Sequence, residues 1–152
     1  MANIRFKLTT PEGVKLEDEV DQVTVTTMLG QVTILPHHLP LMACVVSGEM
    51  VMKKGATEIP LVVHGGFLEV QTENRVTILA DSAERVEELD EKTVEEAIQR
   101  AQTLMREKFN TQDYEDAALA FEREAARSAI LRKYRTKGYR AGHHSSSPTE
   151  NL

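Results

Sequence analysis

The fold of this 152-residue chain is decided around one stretch, Gly30-Gln31-Val32-Thr33-Ile34-Leu35-Pro36-His37-His38-Leu39-Pro40-Leu41. Its two prolines lie four residues apart and enclose two adjacent histidines. Each proline fixes its own φ, removes a backbone donor and pushes the residue before it towards extended geometry. Residues 35–40 are therefore excluded from a helix and from a central strand. We predict a stiff, exposed loop between strands, which loses little entropy on docking; a plain sandwich corner is the alternative.

Short strands are predicted on both sides of this loop. Ile4-Arg5-Phe6-Lys7-Leu8 alternates apolar and polar residues, a period typical of a half-buried strand. The apolar run 41–46 ends at Ser47-Gly48, and hairpins are predicted around the turns at 53–56 and 72–75. Seven or more short strands with turns about every 8 to 12 residues predict a sandwich or barrel over the first 80 or so residues.

Two smaller features of this region bear on chemistry. Cys44, the single cysteine, lies in the apolar run and is predicted to be a buried structural thiol. Gly65-Gly66 has neither the GxxxxGK[ST] pattern nor a following helix, so we predict a tight turn or bulge instead of a phosphate cradle.

The hydrophobic period changes near residue 88, where two helices are predicted. Asp90 is suited to cap a first helix that runs to about Lys108. The polar break at 110–113 precedes a second helix from about Asp113 to Lys137, so the pair forms an antiparallel hairpin. The apolar stripes of the two helices comprise Val94, Ala97, Ile98, Ala101, Leu104 and Met105 in the first, and Ala117, Ala118, Phe121, Ala125 and Ala129 in the second.

These boundaries divide the chain into a sandwich domain (1–87), a helical hairpin (88–138) and a polar tail (139–152). Gly138 is predicted to end the second helix, and the Ser/His-rich tail is predicted to be disordered.

Composition excludes several classes of function. The net charge of −6 argues against non-specific nucleic-acid binding, and no apolar run approaches the roughly 20 residues of a membrane span. No signal peptide opens the chain, because the first strand alternates instead of forming a continuous apolar run.

The sequence contains no nucleophile motif and no zinc-type cysteine spacing. A metal-dependent sandwich enzyme using His37, His38, His64 and Glu69 is a weak alternative, because the usual His-x-His spacing is missing.

Basic residues concentrate in the second helix and just beyond it. This basic arm comprises Arg123, Arg127, Arg132, Lys133, Arg135, Lys137 and Arg140, with Glu124 as the single acid in that range. A solvated helix end that complements its own dipole explains such a pattern, and so does an arm that binds an acidic partner.

Several of these motifs together resemble the epsilon subunit of F-type ATP synthase. The resemblance rests on the opening stretch, Gly48, Gly65-Gly66-Phe67-Leu68-Glu69-Val70 and Val76-Thr77-Ile78-Leu79-Ala80-Asp81, in the same order and spacing over residues 3–137. It implies a β-sandwich followed by a helical hairpin, and a non-catalytic role in the rotating central stalk. The implied partners are the gamma shaft, the c-ring, and the beta and alpha subunits through the helices. The implied location is the cytoplasmic face of a bacterial plasma membrane, without insertion into it.

The resemblance also implies roles for particular residues. Gln31 and His38 stand at the c-ring contact positions, although Gln31 replaces a common acidic residue. The resemblance further implies that the hairpin inhibits ATP hydrolysis through the arm residues Arg123, Arg127, Arg132, Lys133 and Arg135. Reversing the charge of the first three should therefore relieve the inhibition.

Some bacterial members of the family bind ATP through an Ile/Leu-Asp-x-x-Arg-Ala motif. Leu89 and Asp90 match that motif here, whereas its Arg and Ala positions hold Thr93 and Val94. The further basic positions match Arg100, Arg123 and Arg127. Loss of the motif arginine removes a charge-assisted donor, so we expect weak or absent ATP binding and no cofactor. A stand-alone ATP sensor is the first alternative function.

Overall fold

The computed structural model describes residues 3–136. The predictions for Lys137, Gly138, Arg140 and the tail 139–152 lie outside the described residues. The strands are β1 (Ile4–Thr10), β2 (Gly13–Val20), β3 (Gln22–Thr27), β4 (Gly30–Ile34), β5 (Leu41–Lys54), β6 (Thr57–Gln71) and β7 (Arg75–Arg85). A 3-10 turn (Val86–Glu88) leads to the helices α1 (Glu91–Glu107) and α2 (Gln112–Thr136).

The strands form one sheet in the order β2-β1-β7-β6-β5-β3-β4. All neighbouring pairs are antiparallel except β1 and β7, which are parallel. Phe6 of β1 shares one hydrophobic core with Val25 of β3 and Ile34 of the edge strand β4, although three strands separate β1 from β3 in the sheet. The sheet therefore folds over on itself and encloses its core between two layers. This confirms the predicted sandwich followed by a helical hairpin.

The fold-over occurs along a line through β5, β6 and β7. In β6 the inward side chains change from Leu61 and Val63 to Leu68 and Val70, which breaks the period of two. Gly65 and Gly66 lie at this break with φ of 62° and 125°. The predicted irregularity is therefore present, but it bends one long strand instead of separating two.

The same line crosses the two neighbouring strands. In β5 the inward side chains change from Val45 to Met50, where residues 46–49 interrupt the register with β3. The prediction that Ser47-Gly48 ends a strand is therefore wrong, because the chain bends there and continues to Lys54. In β7 the inward side chains change from Ala80 to Ala83. Three adjacent strands thus bend at one level, which gives each layer its own outer face.

The helical hairpin forms as the sequence predicts. The carboxylate of Asp90 accepts hydrogen bonds from the backbone N–H of Lys92 (3.3 Å) and the hydroxyl of Thr93 (2.6 Å), which caps α1. Ala101 of α1 and Ala117 of α2 are buried where the two helices meet. Leu104 and Ala129 were expected in the apolar stripes, but they are exposed because each lies on the side turned away from the packing partners of its helix. Within residues 3–136, no helix is long and apolar enough to span a membrane.

Candidate functional site at the contact between sandwich and hairpin

Helix α2 lies over the outer face of one sandwich layer, against β5 and β6. The contact has an apolar centre contributed by both parts of the chain: Val62, Val86, Ile130 and Tyr134, with Leu89 and Leu131 packed against it. Fully burying one such side chain is worth about 1.5–3 kcal/mol before the cost of ordering is subtracted. Within residues 3–136, helix α2 contributes only two buried side chains to this centre, Ile130 and Tyr134, and ordering the hairpin offsets part of their gain. The net free energy of docking is therefore on the order of a few kcal/mol, and a partner can compete for the hairpin.

Arg127 provides the most buried ionic contact of this site. Its Nε lies 2.8 Å from Glu84 Oε2, and its Nη2 lies 2.8 Å from Glu84 Oε1. The same guanidinium also contacts Glu124, three residues earlier in α2. Of the two contacts with Glu84, the one from Nη2 is a hydrogen bond. Because the Arg127 side chain is only 20 % exposed, the ion pair is less screened by solvent than a surface ion pair. One arm residue is therefore committed to a carboxylate of the sandwich.

Glu49 of β5 makes a second ionic contact with α2. Lys133 Nζ lies 2.6 Å from Glu49 Oε2, and the Tyr134 hydroxyl donates a hydrogen bond to Glu49 Oε1. At the edge of the site Arg135 lies 2.5 Å from Glu91 of α1, where both side chains are exposed. Arg132 donates to the Ser128 hydroxyl at 3.2 Å. The sandwich and α1 thus supply acidic partners to three of the five described arm residues.

His64 of β6 is buried at this contact. It is 1 % exposed, and neither ring nitrogen has a hydrogen-bond partner among the described residues. Burial, and then the positive charges of Arg127 and Arg123 on α2, lower the pKa of His64 to about 4. The imidazole is therefore neutral at pH 7, and its position under α2 disfavours the charged form.

The residues predicted for ATP binding occupy different parts of this region. Leu89 packs against the apolar centre, Asp90 caps α1, and Arg127 pairs with Glu84. Arg123 is exposed on α2 but close enough to influence His64. Arg100 lies in α1, where it lines a shallow groove with other α1 residues. Thr93, at the motif arginine position, donates to Asp90, and this hydrogen bond holds the Asp90 pKa below its usual value.

The residues predicted for the c-ring contact lie in two segments. Gln31 is exposed in β4, opposite Thr26 of β3. His38 lies in the loop 35–40, where its Nδ1 is 2.6 Å from the Leu39 carbonyl oxygen. The loop is exposed and has no regular structure, as predicted, and the backbone N–H of His37 ties it to Asn74 Oδ1 at 2.6 Å. Large apolar side chains are exposed in the loop and in the β3–β4 turn: Met28, Leu29, Leu35 and Leu39.

The other sandwich layer carries an exposed apolar row across three strands. Cys44 pairs in register with Phe67, which pairs with Leu79, and Met42 lies two residues from Cys44 on the same face. Met42, Phe67 and Leu79 are all more than half exposed. Cys44 is also exposed, so the prediction of a buried thiol is wrong. Val45 is the residue that points into the core, and because the outward residues of this strand are apolar too, the sequence does not show which residues face inward.

Within residues 3–136, no group of three or more His, Cys, Asp or Glu side chains is placed to hold a metal ion.

The contact between sandwich and hairpin was only partly visible in the sequence. The arm residues were predicted from their charge, whereas their partners Glu49 and Glu84 and the buried His64 were not. Ile130 and Tyr134 were also missed. The sequence signal available was their spacing of four, since residues four apart lie on one face of a helix.

Comparison with known proteins agrees with this architecture. The family described as "ATP synthase, Delta/Epsilon chain, beta-sandwich domain" matches residues 3–86. The ATP synthase epsilon chain of Herpetosiphon aurantiacus is 39% identical over 134 residues, which cover 88% of this chain and 98% of that relative. The corresponding protein of Dehalococcoides mccartyi is 44% identical over 133 residues, 87% of this chain and 91% of its own.

Solved structures with lower identity share the fold. A chain of the Euglena gracilis mitochondrial ATP synthase (OSCP/F1/c-ring) superposes with a TM-score of 0.76 at 22% identity, covering 86% of this chain and 82% of its own. A chain of the Tetrahymena thermophila mitochondrial ATP synthase central stalk and c-ring gives 0.51 at 19% identity, covering 90% and 96%. With a family match over more than half of its length and relatives near 40% identity, this chain belongs to the ATP synthase epsilon chain family.

Proposed function

We propose that this chain couples the gamma shaft to the c-ring and restrains ATP hydrolysis through its helical hairpin. As an epsilon chain, it is a non-catalytic subunit of the ATP synthase central stalk. In this proposal the sandwich (1–87) is the coupling part and the hairpin (88–138) is the regulatory part. In the same proposal the chain is a peripheral subunit at the cytoplasmic face of the bacterial plasma membrane.

Two exposed surfaces support the coupling role. We assign the row Met42, Cys44, Phe67 and Leu79 to gamma, because a flat apolar row on a rigid sheet suits a permanent partner. We assign Gln31, His38 and the exposed apolar side chains around them to the c-ring, because the loop is stiffened by its prolines. Mutation of Phe67 to Ser should weaken binding to gamma. Retained binding to gamma would count against that assignment.

The observation that carries the regulatory role is the pairing of arm residues with carboxylates of their own sandwich. Arg127 and Lys133 are held by Glu84 and Glu49 while the hairpin is docked. The contact is worth only a few kcal/mol, so acidic groups on the beta and alpha subunits can compete for the same cations. While the hairpin is docked, the arm is bound to the sandwich. When the hairpin is released, the arm is free to bind the beta and alpha subunits and to block ATP hydrolysis.

The experiment combines this chain with a catalytic head that contains gamma but lacks epsilon. Gel filtration measures binding, and ATP hydrolysis is assayed across the peak. Arg127 holds the docked state, so the informative variant reverses only Arg123 and Arg132, which are exposed. We expect this double variant to co-elute and inhibit less, while Lys15→Glu, an exposed base on β2, inhibits as the wild type does. Unchanged inhibition by the double variant would refute the electrostatic account.

A weak ATP site is the second candidate, because Asp90, Arg123 and Arg127 all lie near the junction of sandwich and hairpin. Arg127 already pairs with Glu84, and Thr93 supplies no charge, so we propose that ATP binds weakly or not at all. Calorimetry on the isolated chain tests this, and tight binding would contradict it. Thr93→Arg should strengthen binding, since it restores a charge-assisted donor.

A further inference from the structure

His64 is a buried titratable group that the proposed coupling and inhibition do not use. It lies on the outer face of β6, opposite Ser82 of β7, and α2 covers it. With 1 % of its surface exposed and neither ring nitrogen hydrogen-bonded within residues 3–136, it gains nothing polar from this position. Most buried polar groups in proteins are hydrogen-bonded, so a buried imidazole in this position calls for an explanation beyond packing.

The charges that act on His64 come from helix α2, which presents Arg123 and Arg127. The carboxylates of the neighbouring strands, Glu49 of β5 and Glu84 of β7, lie opposite Val62, two residues away in β6. Glu84 is paired with Arg127, and Glu49 is paired with Lys133 and Tyr134, so both carboxylates are occupied by α2. The two arginines oppose a positive charge on the imidazole as long as the hairpin stays docked.

We propose that His64 is a proton-sensitive latch, in which protonation of its imidazole weakens the docking of α2 and acidification releases the hairpin. The inference rests on the proposed release of the hairpin and adds the signal that favours it. Once α2 leaves, water reaches the imidazole and both arginines move away with the helix. The protonated imidazole is then solvated and no longer repelled by the arginines, so proton uptake by His64 and release of the hairpin are thermodynamically linked.

The direction and size of the effect follow from the two states of His64. Docking lowers its pKa from the ordinary 6.5 to about 4, so docking is fully favourable above pH 6.5 and weakens as the pH falls towards 4. The docking constant should fall about tenfold between pH 7.5 and pH 5.5, because the released state takes up the proton over that range.

Nuclear magnetic resonance of the histidine side chains tests this on the full chain. The chain has five histidines, and His64→Leu identifies the His64 signal by its disappearance. The pH titration is compared between the wild type and Ile130→Glu, which places a charge in the apolar centre and releases the hairpin.

We expect His64 to titrate near 4 in the wild type and near 6.5 in Ile130→Glu. A wild-type His64 that titrates near 6.5 would overturn the proposal, and that result needs no variant to fold. Equal low values in both proteins would also overturn it, because His64 would then be buried independently of α2. The titration is independent of the inhibition assay with the catalytic head. The proposed latch can therefore be refuted without refuting the proposed inhibition, and the reverse also holds.

Discussion

Replacing Ile130 by alanine should release the hairpin from the sandwich. Ile130 is 6 % exposed and belongs to the same buried cluster as Val62 and Val86 of the sandwich side, so truncation removes most of one buried side chain. Buried Ile→Ala changes cost about 2–5 kcal/mol, and the lower end applies here because the hairpin can shift to fill the space. A loss of about 2 kcal/mol reduces the docking constant roughly 30-fold.

The assay measures the distance between two spin labels on the isolated chain. One label is attached to the native Cys44, which is exposed and is the single cysteine. The other is attached to an introduced cysteine, Ala120→Cys, at an exposed position of α2. Docked hairpins give one narrow distance, and released hairpins give a longer and broader distribution. Since the whole contact is worth a few kcal/mol, Ile130→Ala should shift a clearly visible fraction to the second population.

Leu119→Ala is the matched control for this experiment. It makes the same kind of truncation in the same helix, but Leu119 is 59 % exposed and outside the apolar centre. We expect its distance distribution to match that of the parent protein. If both variants shift the distribution equally, or if neither does, the apolar centre does not hold the hairpin and the reasoning is refuted.

Three further predictions concern single contacts. Tyr134→Phe removes a hydrogen bond to the charged Glu49 and should weaken docking by about 1–2 kcal/mol, read from the same pair of labels. Arg127→Ala leaves two carboxylates unpaired and should weaken docking by about 1–3 kcal/mol; a docking constant unchanged by this variant would contradict the role of the pair. Gly66→Ala should lower stability by at least about 3 kcal/mol in thermal unfolding, because a Cβ would lie 1.9 Å from a backbone oxygen, whereas Gly55→Ala, with open space around it, should cost about 1 kcal/mol.

The parts of the fold that local rules determine were predictable from the sequence. The prolines define the loop 35–40, and Asp90 defines the start of α1 at the predicted place. Hairpin turns near Gly55 and Glu73 were also predicted, since short polar segments between alternating strands leave few other conformations.

What the sequence left open depends on contacts between distant residues. The strand through Ser47 and Gly48 bends because the sheet must fold over its core, and no local signal separates a bend from an end. Cys44 was predicted to be buried because both faces of its strand carry apolar residues. The sequence pattern therefore does not show which of the two faces points into the core. Ile130 and Tyr134 were missed because α2 packs against both α1 and the sheet, which blurs its apolar stripe.

The central claim is that sandwich carboxylates and the catalytic head compete for the same basic arm. The most direct test changes the sandwich and leaves the arm intact, using the double variant Glu49→Gln and Glu84→Gln. Glu17→Gln, an exposed acid on β2, is the control. We predict that the double variant inhibits ATP hydrolysis by the head more strongly than the wild type at equal occupancy, because its hairpin is released more often. Equal or weaker inhibition, with co-elution unchanged, would contradict the account.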